Sequence, residues 1–197
     1  MIATAARPSV LTPLTERQQT FTSFPKQYVT VKKLHGIEIT FRAIQIEDEP
    51  LLIEFHKTLS DQSVHFRYFG AVTLRERTLH ERLRRHCAID QTREFALVAD
   101  REDAGGKHHI LGVARLFKEP MRDEAEFAIL ISDACQGKGV GTYLLKLLVR
   151  VGRESHLRRI VGHILADNLA MTHVCRKVGF SLHFNGSIGE WFAEILF

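Results

Sequence analysis

Apolar residues alternate or recur at helical spacing along most of the chain, and the pattern predicts its elements one by one. Residues 28–31 and 37–41 alternate on either side of His35-Gly36, which reads as a hairpin. Glu47-Asp48-Glu49-Pro50 is an acidic, proline-bearing helix start. Leu51, Leu52, Phe55 and Leu59 supply the apolar face of that helix, and Ser60-Asp61 ends it. A short helical piece through 66–69 is closed by Gly70. Residues 73–87 read as a further helix whose apolar positions, Leu74, Leu79, Leu83 and Cys87, are unevenly spaced. Strands at 94–99, 109–117 and 124–131 form a meander, with turns at 100–107 and 119–123. From 139 to 153 the period changes, and Tyr143, Leu144, Leu147, Leu148 and Val151 recur as on one helical face. A strand at 159–165 leads to a helix capped by Asp167 or Asn168 and stopped by Gly179. Its apolar face is Ala170, Met171, Val174, Cys175 and Val178. Strands at 181–184 and 190–197 close the chain around Asn185-Gly186.

This order predicts an α+β fold, layered as a mixed, mainly antiparallel sheet of about six to seven strands with helices on both faces. Residues 1–24 carry Pro8, Pro13 and scattered polar side chains and read as a flexible extension. Residues 25–197 are then a single domain. The chain has 197 residues, 45% of them hydrophobic, which suffices for one core.

Composition removes several classes of function. The net charge of +4 is spread through the chain, and Arg82-Leu83-Arg84-Arg85 is the one basic block, read as a solvated helix face. No aromatic-basic stripe accompanies it, so no nucleic acid is expected as a partner. Cys87, Cys135 and Cys175 form no C-x-x-C pair, which fits reduced thiols and a cytoplasmic protein. Eleven histidines show no ligand spacing: His108 and His109 are adjacent on a strand, and Arg84 replaces the second histidine that His80-Glu81 would need. No metal is expected. No apolar run reaches membrane-spanning length, and the first residues lack the order of a secretion signal. The chain is therefore not expected at a membrane.

The candidate chemistry starts at Gln136-Gly137-Lys138-Gly139-Val140-Gly141-Thr142, between a strand and a helix. Alternating glycines at a helix entrance let a ligand approach the backbone, and the first N–H groups of the helix point outward beside the positive end of its dipole. Such geometry binds phosphate. A P-loop is excluded, since Gly139 follows Gly137-Lys138 and Ser132 stands where its first glycine belongs. A dinucleotide fingerprint is excluded by Thr142 at its third glycine. What remains is Gln136-x-x-Gly139-x-Gly141, or else a glycine-rich turn without a ligand.

On the preceding strand Glu124, Glu126, Ala128 and Leu130 share one face, and Ala125, Phe127, Ile129 and Ile131 the other. Glu126 sits among apolar neighbours, where a carboxylate tends to a raised pKa suited to a general base. It could equally pair with Arg115 or Arg122, or lie exposed. Asn168 is first a helix cap, and a cap at a sheet edge can also turn its side chain to a ligand. Cys175 lies on an apolar helix face and reads as packing. A nucleophile or thiol acid there would need a base beside it, and His173 points elsewhere on the helix.

These motifs resemble the GNAT acetyltransferase superfamily, whose signature is a strand, Q/R-x-x-G-x-G/A opening a helix, a further strand, and Asn opening a helix that ends in Gly-Phe. Here these are 124–131, Gln136 to Gly141, 159–165, Asn168 and Gly179-Phe180. A narrower likeness to the bacterial Pat-type protein lysine acetyltransferases rests on 39–44, 47–51, Leu59-Ser60, 67–70 and 94–98. The resemblance implies acetyl-CoA as donor and Glu126 as base. It also implies a protein lysine as acceptor, with acyl-CoA synthetases among the candidate partners. On this reading the pyrophosphate rests on Gln136, Gly137, Lys138, Gly139, Val140, Gly141 and Thr142, the pantetheine arm runs beside Ile129 and Ile131, and Asn168 faces the donor. The sequence departs from the pattern once: many members place a Tyr seven residues after the Asn as the acid, and here Cys175 stands there. Two other readings stay open. One is acetylation of a small amine, with Glu47, Asp48, Glu49 or Asp61 forming an acidic pocket. The other is an acetyl-CoA sensor without catalysis. The oligomeric state is left open.

Overall fold

A computed structural model describes residues 28–197, and the expected flexible extension at 1–24 lies outside them. Eight strands form one sheet in the order β1-β2-β3-β4-β5-β6-β8-β7, one more than the upper expectation. β1 (Thr30–Leu34) and β2 (Ile37–Ala43) make the hairpin, β3 (Glu94–Glu102), β4 (His108–Lys118) and β5 (Glu124–Ile131) the meander, and β6 (Arg159–Leu165), β7 (Ser181–Asn185) and β8 (Glu190–Leu196) the rest. Every neighbouring pair is antiparallel except β5 and β6.

Among the described residues six α-helices accompany the sheet: α1 (Glu49–Lys57), α2 (Asp61–Tyr68), α3 (Leu74–Arg77), α4 (His80–Cys87), α5 (Val140–Glu154) and α6 (Leu169–Val178). The alternation read on the strands separates two cores. Leu97, Leu116, Phe127, Leu144, Leu148 and Cys175 pack together on the α5–α6 side. Leu52, Phe55, Leu83, Val98, Val113 and Leu130 pack on the opposite side, beneath α1, α2 and α4. Neighbouring strand residues such as Val113 and Ala114 fall into different cores because side chains alternate across a pleated strand.

Four local expectations need correction. Ser60 does not merely end α1; its hydroxyl accepts the Ser63 N–H as the N-cap of α2, so α2 starts earlier than read. α2 is closed by Phe69, not Gly70: Phe69 takes the left-handed conformation at φ 58°. The single helix at 73–87 is two, broken at Thr78-Leu79. Leu74 and Leu79 are exposed while Leu83 and Cys87 are buried, so no one apolar face runs through the segment. Arg77 anchors the break by donating to the carbonyls of Val72 and His56. β3 also runs past its expected end, because buried Asp100 is held in the sheet by Arg42 and His108.

The parallel pair decides where a site can form. β5 and β6 are in register only from Glu124 to Glu126 against Arg159 to Val161. At the closed end Glu124 accepts from Arg158 at 2.6 Å and from Arg159 at 2.8 Å. Past Glu126 the strands separate. Phe127 lies against Gly162, where a Cβ would come within 2.3 Å of its ring. Only glycine leaves room for that ring at the vertex. Phe127 also meets Phe180 edge-on, with ring centroids 5.3 Å apart.

Candidate functional site

The separated strands open a cleft of about 410 Å³, bordered by Glu126 at one end and by Gly137, Gly139, Gly141 and Thr142 at the other. About 17 Å of strand separate Glu126 from Ile131 at the usual rise. Ile129 and Ile131 line the wall between, and Met171 and Val174 of α6 line the facing wall.

The loop owes its shape to two left-handed glycines, Gly137 at φ 70° and Gly139 at φ 81°. No protein atom lies within 4 Å of where a Cβ would stand on either, so these glycines face open space. The first helical bond of α5 runs from Tyr143 N–H to Gly139 O at 3.0 Å. Among the described residues the N–H groups of Gly137, Lys138, Gly139, Val140, Gly141 and Thr142 have no acceptor. Six donors in succession at a helix N-terminus form a cradle for an anion.

Gln136 differs from its neighbours in the loop. Its N–H is already used, donating to Asp133 O at 3.2 Å. Its carboxamide donates to Ser63 Oγ at 2.9 Å and to Asp133 Oδ1 at 3.2 Å. Asp133 in turn accepts from the Ser63 hydroxyl at 2.7 Å and the Ser60 N–H at 3.1 Å. Gln136 therefore contributes as a tether between the loop and α2, and the row of free N–H groups begins at Gly137. Nothing near Gln136 in sequence signals Ser63. Lys138 and Val140 offer backbone only, since Val140 is buried in the core and Lys138 does not border the cleft.

Glu126 stands at the vertex, half-buried, opposite Phe117 on β4 and Val161 on β6. The pairing with Arg115 or Arg122 is not made. Arg115 binds Glu94 and the His86 carbonyl instead. Glu126 has no hydrogen-bond or ion-pair partner among the described residues. Arg67 of α2 borders the same cleft.

Asn168 caps α6, its Oδ1 accepting from Met171 N–H at 3.1 Å, and it also borders the cleft. Cys175 is fully buried in the core and does not reach the cleft. Burial pushes its thiol up to about 12. The thiol can act there neither as nucleophile nor as acid for a group in the cleft. Cys135 borders the cleft but hydrogen-bonds to no base among the described residues. None of Glu47, Asp48, Glu49 and Asp61, the acids considered for a small cation, borders the cleft. Asp48 is buried against Arg42, with its oxygens 2.7 Å from both terminal nitrogens, and Glu49 holds His80 at 2.6 Å. Among the described residues no group of His, Cys, Asp or Glu is arranged to hold a metal, and no helix is long and apolar enough to cross a membrane.

Comparison with known proteins places this geometry in context. Residues 38–181 match the family model described as an acetyltransferase (GNAT) domain. An acetyltransferase of Pseudomonas aeruginosa is 28% identical over 145 residues, covering 74% of this chain and 76% of that protein. The crystal structure of the GNAT domain of S. lividans PAT superposes with a TM-score of 0.77 at 26% identity, over 89% of this chain and 100% of that one. An N-acetyltransferase of Thermoplasma acidophilum, solved in complex with coenzyme A, shares the fold with a TM-score of 0.62 at 19% identity, over 81% of this chain and 99% of that one.

Proposed function

From a chain that belongs to the GNAT acetyltransferase family, we propose transfer of an acetyl group from acetyl-CoA to a protein lysine, with Glu126 as the base. The observation that carries this reading is the cleft itself, with an anion cradle at one end and an unpaired carboxylate at the other. The N–H groups of Gly137 to Thr142 suit a diphosphate, and the unpartnered edge of β5 beyond Glu126 suits an extended amide-bearing arm. The preference for a protein lysine rests on the likeness to Pat-type enzymes.

A lysine amine, with an ordinary pKa of about 10.4, arrives protonated. Glu126, directly or through water, takes one proton, and the freed lone pair attacks the thioester carbon. Backbone N–H groups along the β5 edge stabilise the oxyanion. The adduct nitrogen sheds its second proton to water as the tetrahedral adduct collapses and the C–S bond breaks, forming the neutral amide and releasing the thiolate of coenzyme A. An ordinary thiol pKa of about 8.5 makes that thiolate a fair leaving group. It then takes a proton from water, so no acid from Cys175 is needed. Transfer is direct, without an acyl-enzyme.

The test is acetyl-lysine mass spectrometry of a host proteome with the wild-type enzyme and with Glu126→Gln. Lysines acetylated only by the wild type are expected. Coenzyme A release that depends on small amines alone, with no acetylated protein, would replace the lysine reading by that of a small-amine acetyltransferase.

A further inference from the structure

A second depression, of about 700 Å³ and open to solvent, lies on the α1–α4 side of the sheet, lined by Arg82, Arg85 and His86 of α4 and by Arg115 and Phe117 of β4. Phe117 is the register partner of Glu126, so the depression begins beside the strand carboxylate. A gap of about 30 Å³, bordered by Arg67, His86 and Arg115, lies between this space and the donor cleft. Arg67 borders both the gap and the cleft.

The charges of this wall do not balance. Arg115 is committed to Glu94 and the His86 carbonyl. Glu76, the other carboxylate, is committed to Thr73 at the start of α3. Arg67 and Arg82 stack on the Tyr68 ring at 5.2 and 5.1 Å. Neither Arg82 nor Arg85 has an ion-pair partner among the described residues, while Arg67, set back from the depression, feels the Glu126 carboxylate. His86 and His56 add no charge at neutral pH. Burial first, and the neighbouring guanidiniums second, bring His86 down to about 3 and His56 to about 4. The excess is therefore carried by arginine and persists across the neutral range. Exposed Leu79 and Phe117 give the same depression apolar contact.

A polycationic acceptor would bring charge of the same sign to this wall. An acidic one would meet complementary charge. The volume and open form suit a chain segment rather than a single small amine. We propose that this depression is the acceptor subsite and takes a lysine flanked in its own chain by Asp or Glu. The proposal rests on the acetyl-transfer reading above and specifies its substrate.

Kinetics with three acceptors test it: a lysine peptide flanked by Glu and Asp, its counterpart flanked by Arg, and spermidine. The full chain should favour the acidic peptide in kcat/KM by about tenfold, the scale of two or three partly exposed ion pairs. The double variant Arg82→Glu, Arg85→Glu should bring that ratio to one or below while still binding coenzyme A in calorimetry. If the double variant fails to bind coenzyme A, the single exposed change Arg85→Glu takes its place and should reduce the ratio in part. Anisotropy of the labelled acidic peptide with coenzyme A present should show binding that weakens with salt. Equal kcat/KM for the two peptides, a preference for spermidine, or a ratio untouched by the arginine changes would overturn the subsite. Arginine-dependent peptide binding without acetyl transfer would instead keep the subsite and overturn the transfer reading.

Discussion

Gln136 donates its carboxamide to the Ser63 hydroxyl at 2.9 Å, across 73 positions of sequence. The glutamine of the loop signature thereby fixes the anion cradle to α2, with Asp133 as the shared acceptor. Ser63→Ala removes the neutral link from Gln136, worth about 0.5–1.5 kcal/mol, together with the Ser63 donation to Asp133. The KM for acetyl-CoA should rise about three- to tenfold with little change in kcat. Steady-state kinetics check this, and an unchanged KM would show that the loop holds its shape without the tether.

Glu126→Gln keeps the shape of the side chain and removes its basicity. Activity at neutral pH should fall by about 10²–10⁴-fold, and the acid limb of the pH–rate profile should vanish. Calorimetry should show coenzyme A binding intact. A profile like that of the wild type would remove Glu126 as base.

Gly139 holds φ at 81° where the chain turns into α5. Gly139→Val forces a β-branched residue into that conformation and turns the N–H groups out of line. Coenzyme A binding should be abolished while the fold, followed by circular dichroism, survives. Retained binding would mean that the diphosphate lies elsewhere.

Cys175→Ala separates packing from chemistry. The thiol is sealed in the core with Phe127 and Leu148, so the change should cost about 1 kcal/mol of stability as a small cavity. Most of the activity should remain. Complete loss of turnover in a folded variant would show that the thiol takes part in the reaction.

His56 is buried, its Nδ1 has no partner, and burial with Arg77 and Arg82 nearby lowers it from 6.5 to about 4. Between those values the unfolded chain takes up a proton that the folded chain refuses. Its contribution is therefore intact above about pH 6.5 and is lost as the pH falls toward 4. His56→Phe should flatten part of the loss of stability on acidification, and at neutral pH should be neutral or stabilising because the orphan polar atom is gone. Denaturant midpoints across this range measure both effects, and identical pH slopes for the two proteins would contradict the assignment.

Local pattern made much of the molecule legible. The limits of β5 and β6 were read as they stand, because both strands carry apolar runs between clear turn residues. The stop of α6, Gly179, was equally plain, and its cap was narrowed to Asp167 or Asn168, of which Asn168 is the one used. The single helix read at 73–87 failed because Arg77 holds the break with a local bond to Val72 O and a distant one to His56 O, 21 positions back. The carboxylate and glycines of the candidate site were visible as residue types at a spacing. Ser63, Asp133 and Arg67 were not, since their roles depend on partners far away in the chain.

The amino-acid order was enough to set the element types, the two-faced alternation of the strands and the glycines that free backbone donors, all of which depend on neighbours within a few residues. The divergence of β5 from β6 past Glu126, the burial of Cys175, the tether from Gln136 to Ser63 and the unbalanced arginines beside Phe117 arose only on folding. Each is a meeting of distant segments whose register and solvent exposure no local period encodes.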